Sequence, residues 1–147
     1  MRISTQLRYG LRAMVDLAEN EIKGPVLAKS IAERQGLSKK YLDNLLGALK
    51  NAGLVRSIRG AKGGYHLARP ASRITVEDIA TALEGPPCLV DCVADPEVCK
   101  RVSRCWANDF WRDLSEMLVK FMRNTTLADL VRKSREKREP GARMYYI

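Results

Sequence analysis

Apolar residues recur at helical spacing along the first half of the chain and predict three short helices. Leu7, Leu11 and Met14 belong to one stripe over residues 5–19, and the same spacing returns over residues 27–32 and 42–49. The last two segments meet at Gly36 and Ser38. Gly36 suits the left-handed conformation that ends a helix, and the Ser38 hydroxyl can cap the next one. This pattern predicts a helix-turn-helix.

A glycine-rich hairpin is predicted after the third helix. Residues 54–58 are typical of a short strand, and residues 65–67 are typical of a second strand that pairs with it. Between them, Gly60, Gly63 and Gly64 permit a tight turn, while Arg59 and Lys62 place two cations at its tip. We therefore expect a wing that reaches DNA.

The second half of the chain predicts two helices separated by a cysteine-bearing loop. Thr75 can cap a helix over residues 76–84, and a long apolar stripe over residues 107–124 predicts a second helix that needs a partner. Residues 132–143 are rich in charge and are expected to be solvated. The expected fold is mainly α with a small β-hairpin wing. Its expected parts are a winged helix-turn-helix DNA-binding domain (1–84), the cysteine-bearing loop (85–106), a dimerisation helix region (107–131) and a charged tail with an apolar C-terminus (132–147).

The charge of the chain favours a polyanionic partner. Lys and Arg number 26 against 17 acidic residues, a net charge of +9, and neutralised phosphates release counterions and add affinity. Charge alone does not separate nucleic acid from an anionic membrane. No apolar run approaches the roughly 20 residues of a membrane span, so we expect no membrane partner and a cytoplasmic location. With one histidine and no phosphate-cradling loop, an enzyme is not expected.

The third helix and the wing supply the candidate DNA-binding residues. The outward N-terminal turn of the third helix is basic, and recognition helices present the residues of this turn to the major groove. We assign Lys39 and Lys40 to phosphates, while Asn44 can pair with adenine and Asp43 can accept from cytosine. Arg59 is the candidate for the minor groove. The full predicted set is Lys39, Lys40, Tyr41, Asp43, Asn44, Arg59 and Lys62. An ordinary solvated face is the alternative.

All four cysteines fall within 18 residues, with the spacing Cys-x3-Cys-x6-Cys-x5-Cys from Cys88 to Cys105. Thiolates gathered on one loop can close around an iron–sulfur cluster. A four-thiolate zinc site is a second possibility, although no pair has the Cys-x2-Cys spacing of most zinc knuckles. Redox-sensing thiols without metal, beside Arg101 and Arg104, are a third.

Several segments resemble the Rrf-two family of winged-helix transcriptional regulators, in its IscR-like and CymR-like branches. They lie at residues 2–5, 8–10, 31–38, 41–42, 53–60, 63–65 and 105–114. The resemblance covers nearly the whole chain. It implies a homodimer that pairs through a long helix, here 107–124, and binds palindromic promoter DNA.

The resemblance also implies a cofactor, an iron–sulfur cluster of the 2Fe-2S type. Cys92, Cys99 and Cys105 match the three cysteines that hold the cluster in the IscR-like branch. Asn108 stands where that branch has a histidine, and an amide oxygen is a poor donor to iron. A further relative takes an acidic ligand from its first helix, where this chain has Arg8. We therefore prefer Cys88 as the fourth ligand, with Asn108 second.

The C-terminal residues Tyr145, Tyr146 and Ile147 are apolar for a charged tail. They resemble the end of the CymR-like branch and suggest a second function, a cysteine-metabolism repressor controlled by cysteine synthase or by thiol redox without a cluster. A free carboxylate behind an apolar anchor suits capture in a pocket. The alternative is a tail that packs on the dimerisation helix. The main expectation is regulation of genes of iron–sulfur cluster or sulfur/cysteine metabolism through the cluster.

Overall fold

Helices dominate the structure, a computed structural model that describes residues 3–139. These residues contain one two-stranded antiparallel sheet, and the mainly α fold with a hairpin wing is confirmed. The helices are α1 (Thr5–Asn20), α2 (Ala28–Gln35), α3 (Lys39–Asn51), α4 (Val76–Glu84), α5 (Asp91–Ala94), α6 (Trp106–Asn124) and α7 (Leu127–Arg138), and the strands are β1 (Val55–Ile58) and β2 (Gly64–Leu67).

The apolar stripes of the first four helices meet in one core. The stripe of α3 is fully buried at Leu42, Leu45, Leu46 and Leu49, and it packs against Met14 of α1 and its neighbours. Burial of this many large aliphatic side chains is the main favourable term in folding, at roughly 25 cal/mol per Å² of apolar surface. The outward face of α3 is thereby fixed, because residues between the leucines must point away from the core.

The junction between α6 and α7 is attached to the start of α4. Thr75 and Thr126 form an isolated antiparallel bridge, with Val76 N donating to Thr125 O (2.9 Å) and Leu127 N donating to Ile74 O (2.7 Å). Both threonines also cap their helices, α4 and α7, in reciprocal capping boxes. The end of the long helix α6 is therefore tied directly to the start of α4.

The predicted solvated segment 132–143 begins inside α7, which runs through Arg138, and its residues 132–139 are exposed except for Ser134, which is partly buried. Leu127 and Val131 bury one side of this helix, and Arg138 pairs with Glu19 of α1. Its remaining face is charged, which is why its composition suggested a solvated segment. The tail residues Tyr145, Tyr146 and Ile147 lie outside the described residues. Among residues 3–139, no helix is both long and apolar enough to cross a membrane.

Candidate nucleic-acid interface and cysteine loop

The helix-turn-helix holds the N-terminus of α3 at the surface. Gly36 adopts φ +66° and ends α2 in the left-handed conformation, and Ser38 Oγ accepts a hydrogen bond from Tyr41 N (3.2 Å) to start α3. Lys39, Lys40 and Asn44 are exposed, so three of the predicted DNA-binding residues share the accessible side of this helix.

Two of the predicted contacts are paired with each other in the free protein. Lys39 Nζ lies 2.7 Å from Asp43 Oδ2, one helical turn further along α3. The hydrogen bond that Lys39 donates to Asp43, together with the negative charge of Asp43, raises the pKa of Lys39 above the ordinary lysine value. The pair leaves Lys39 two further N–H donors and leaves Asp43 a second carboxylate oxygen, so it need not open for Lys39 to meet a phosphate or for Asp43 to accept from a cytosine amino group.

A cluster of aromatic rings and cations from α1 lies beside this end of α3. Tyr41 contacts Tyr9 edge to face, with ring centroids 6.2 Å apart. The guanidinium groups of Arg8 and Arg12 lie 5.7 and 5.3 Å from the centroid of the Tyr9 ring. Arg8, Tyr9 and Arg12 are not among the predicted DNA-binding residues. The sequence feature that could have indicated them is their position on α1, outside its apolar stripe.

The hairpin has the geometry expected of a wing. Strands β1 and β2 pair from Val55 opposite Leu67 to Ile58 opposite Gly64. A Cβ at Gly63 would lie 2.2 Å from Ile58 O, and Gly64 (φ +150°) leaves room for the backbone of Val26. Glycine is therefore required at both positions, because any side chain there would collide with backbone atoms.

The wing is attached at its base and exposed at its tip. Val26 and Tyr65 exchange two backbone hydrogen bonds of 3.0 and 2.8 Å, and Leu67 N donates to the Glu21 carboxylate (2.7 Å). Arg59 and Lys62 are both exposed on the turn between the strands. The base thus fixes the direction of the hairpin while the two cations stay free to reach a phosphate or a groove.

The cysteine loop, residues 85–105, is built from short helical turns, and the first of them, α5, packs on α6. It contains α5 and two 3-10 turns, at Pro96–Val98 and Val102–Arg104. Cys88 is exposed, whereas Cys92, Cys99 and Cys105 are partly buried, and all four are free thiols. Across residues 3–139, no three His, Cys, Asp or Glu side chains are grouped closely enough to hold a metal ion. The loop therefore has to move before its thiols can bind the same metal ion or cluster.

The chemistry of the loop fits an iron–sulfur cluster even though the thiols are not gathered. Four thiols form a suitable donor set, and thiolate ligands give such a cluster net negative charge. Lys100, Arg101 and Arg104 surround an open depression next to Cys105 and can offset that charge. Asp16, the first acid of α1, cannot complete the set, because Arg34 and Gln35 bind both of its carboxylate oxygens.

The predicted second-choice ligand Asn108 lies in the first turn of α6, with a side chain that is 4% exposed. Its amide nitrogen donates to Cys92 O (3.0 Å) and contacts Cys92 Sγ (3.4 Å). Asn108 is thus beside a predicted ligand, with its nitrogen directed at the sulfur.

Helix α6 presents a row of exposed apolar side chains. They are Trp106, Phe110, Trp111, Met117 and Phe121, and the last two are 69% and 68% exposed. Phe110 and Trp111 contact each other with ring centroids 5.0 Å apart. Exposed aromatic groups on one helix are typical of a protein interface.

Comparison with known families identifies the fold. Residues 3–133 match the model of the Rrf2 family, described as "Iron-dependent Transcriptional regulator". The chain belongs to the Rrf2 family. This is the Rrf-two family that the sequence motifs indicated, and its members found by comparison are transcriptional regulators rather than enzymes.

Relatives from two branches of the Rrf2 family are equally similar to this chain. The HTH-type transcriptional regulator CymR of Bacillus subtilis (strain 168) is 42% identical over 147 residues, the full length of both chains. The HTH-type transcriptional regulator IscR of Yersinia pseudotuberculosis is 42% identical over 131 residues, 89% of this chain and 79% of its own. The solved structure of T. potens IscR has a TM-score of 0.80 and 39% identity, covering 99% of this chain and 97% of the other.

The match assigns the general function of this Rrf2 protein. It is a DNA-binding transcriptional regulator of the CymR and IscR kind. The N-terminal turn of α3 and the tip of the wing are both exposed and therefore accessible to a partner.

Proposed function

We propose that this chain is a homodimeric regulator of iron–sulfur or sulfur metabolism genes that senses through an iron–sulfur cluster of the 2Fe-2S type. The observation that carries the proposal is the position of the four cysteines. All of them lie in the one loop that joins α4 of the DNA-binding half to α6. The IscR relatives support the same cofactor.

Cys92, Cys99 and Cys105 would hold the cluster, with Cys88 as the preferred fourth ligand. When bound, the cluster supplies an iron-dependent and redox-sensitive cross-link between the two ends of the loop. Ordering of residues 85–105 would then fix how α6 leaves the DNA-binding half. In a dimer, that angle sets the spacing between the two recognition helices.

The exposed apolar row on α6 supports the dimer. A second copy of α6 would cover Met117 and Phe121, which single-chain folding leaves exposed. Two copies related by a two-fold axis would place two α3 helices on a palindromic site. The predicted DNA contacts are Lys39, Lys40, Tyr41, Asp43, Asn44, Arg59 and Lys62.

The test is the visible absorption spectrum, with iron, zinc and sulfide analysis, of protein purified without oxygen. Wild type is expected to contain about two iron and two sulfide per chain with thiolate charge-transfer bands. Cys92→Ala should lose them, and Cys88→Ala should retain less iron than the matched Ser103→Ala. Colourless wild-type protein, or protein with zinc instead of iron, contradicts the cluster.

A second candidate function is a CymR-like cysteine-metabolism repressor that responds to cysteine synthase or to thiol redox. The full-length alignment with CymR favours it, since that alignment includes the tail Tyr145-Tyr146-Ile147. Cysteine synthase binding to wild type and to a chain lacking the last three residues separates the two candidates. The form of this candidate that responds to cysteine synthase requires binding that is lost on truncation.

A further inference from the structure

Helix α6 buries two polar side chains, and both face the cysteine loop. Asn108 is 4% exposed and Ser115 is 5% exposed. They are seven residues apart, so they lie on the same side of the helix about two turns, or roughly 10 Å, from each other. A buried polar group costs free energy unless it is hydrogen-bonded, so their partners decide what they do.

Both side chains bind the first half of the loop. The Asn108 amide donates to Cys92 O at 3.0 Å and lies 3.4 Å from Cys92 Sγ. Ser115 Oγ accepts a hydrogen bond from Leu89 N at 3.4 Å. The segment from Leu89 to Cys92 is thereby fixed to α6 at its two ends.

The second half of the loop has no comparable attachment. The hydrogen bonds found for residues 96–104 stay within residues 95–105, as in Glu97 N to Asp95 Oδ1 and Val102 N to Cys99 O. Most side chains of this half are exposed. The loop thus consists of a held half, which carries Cys88 and Cys92, and an unattached half, which carries Cys99.

The orientation of the Asn108 amide decides whether this side chain can act as an iron ligand or as a hydrogen-bond donor to the Cys92 sulfur. With the opposite orientation, its oxygen would lie against the carbonyl oxygen of Cys92, and two acceptors would repel each other. The nitrogen therefore faces the sulfur. An amide nitrogen has no lone pair available for iron, whereas its N–H can donate to a thiolate.

We propose that Asn108 and Ser115 are positioning residues that hold Leu89–Cys92 on α6, so that the unattached half of the loop closes onto Cys92 when the thiols are gathered. Asn108 acts as a hydrogen-bond donor to the Cys92 sulfur and not as an iron ligand. This role in ligation rests on the proposed function, whereas the attachment of the loop does not. It leaves Cys88, in the held half, as the fourth thiol.

Hydrogen exchange of the metal-free protein tests the attachment. Asn108→Ala and Asn108→Asp should each make the amides of Val93, Ala94 and Asp95 exchange about tenfold faster, because the Cys92 anchor is lost. Ser115→Ala should do the same at Leu89. Ser103→Ala, in the unattached half, should change neither set, and the amides of Leu45 and Leu46 should stay protected in every variant that folds. Unchanged exchange in the Asn108 variants overturns the proposal.

The reduction potential of iron-loaded protein tests the donor role. A hydrogen bond to sulfur stabilises the more negative reduced state, so Asn108→Ala and Asn108→Asp should both lower the midpoint potential. An Asn108→Asp protein that retains iron with a changed ligand-field spectrum, while Asn108→Ala loses iron, makes position 108 a ligand and overturns the donor role. Wild-type protein that takes up no iron overturns the proposed function, and the exchange experiment still decides the attachment.

Discussion

Arg123, near the end of α6, donates two hydrogen bonds to the Glu77 carboxylate in the first turn of α4. The Nε–Oε2 distance is 2.7 Å and the Nη2–Oε1 distance is 2.9 Å. The paired geometry fixes direction as well as distance. Together with the Thr75–Thr126 bridge, it connects α6, which follows the cysteine loop, to the start of α4.

Acid should weaken this connection. Arg123 lowers the pKa of Glu77 below its ordinary value of 4.5, chiefly through the hydrogen bond. A carboxylate with a lowered pKa in the folded state stabilises fully above its unfolded value, and that stabilisation is lost as the pH falls through the folded value. Glu77→Gln should therefore reduce the loss of stability between pH 6 and pH 3.5, measured by urea unfolding. An unchanged difference between the two pH values would show that the pair does not contribute.

The Arg123–Glu77 pair should also couple iron loading of the cysteine loop to operator affinity. Arg123→Ala is expected to leave the iron content unchanged while reducing the difference in operator affinity between iron-loaded and metal-free protein. The measurement is fluorescence anisotropy on a duplex selected by the wild-type protein, and Arg132→Ala, an exposed arginine on α7, is the control. A full wild-type difference in Arg123→Ala would place the connection elsewhere.

The wing should contribute one strong contact through Arg59. Arg59→Ala is expected to weaken operator binding about tenfold and to reduce the slope of log K against log salt by about one, because one cation leaves the interface. Lys133→Ala removes the same charge from the exposed side of α7 and should leave the slope unchanged. If Arg59→Ala binds as wild type does and with the same sequence preference, the assignment of Arg59 is wrong.

Replacing glycine with alanine should have opposite effects on the stability of the protein at two positions, Gly64 and Gly47. Gly64→Ala would place a Cβ 2.7 Å from the Val26 backbone, so it should destabilise the protein and detach the wing. Gly47, in the middle of α3, has nothing within 4 Å of an added Cβ, and alanine there should stabilise the helix by about 1 kcal/mol. Thermal unfolding of both variants tests this pair, and a Gly64→Ala protein as stable as wild type would contradict it.

The apolar row on α6 should hold the dimer. Phe121→Glu places a charge where a 68% exposed aromatic ring needs a partner, so it is expected to give monomers in light scattering. Thr81→Glu adds the same charge on α4 and should leave the dimer intact. A dimeric Phe121→Glu protein would mean that a different surface pairs the chains.

Local patterns were sufficient to predict the helix-turn-helix and the wing. Gly36, Ser38 and the α3 leucines act through neighbours in the sequence, so their roles follow from spacing. Helix α7 was missed because its charge suggested solvation. The capping pair Thr126 and Asp129 was nevertheless visible in the sequence and marks its start.

The rest of the candidate site depends on contacts between distant segments. The approach of Arg8 and Tyr9 to Tyr41, and the burial of Asn108 against Cys92, are set by how α1 and the loop pack. No period or motif specifies such contacts. The proposed gathering of the four thiols would depend on the cluster itself, so the sequence predicts the donor set and not its geometry.

The most direct test of the central claim is operator affinity measured on one preparation before and after its iron is removed by a chelator without oxygen. We predict a change in Kd of at least about tenfold, restored when the cluster is rebuilt and absent in Cys92→Ala. Equal affinities for iron-loaded and metal-free wild type would contradict a loop that senses through a cluster, and would favour control by a protein partner.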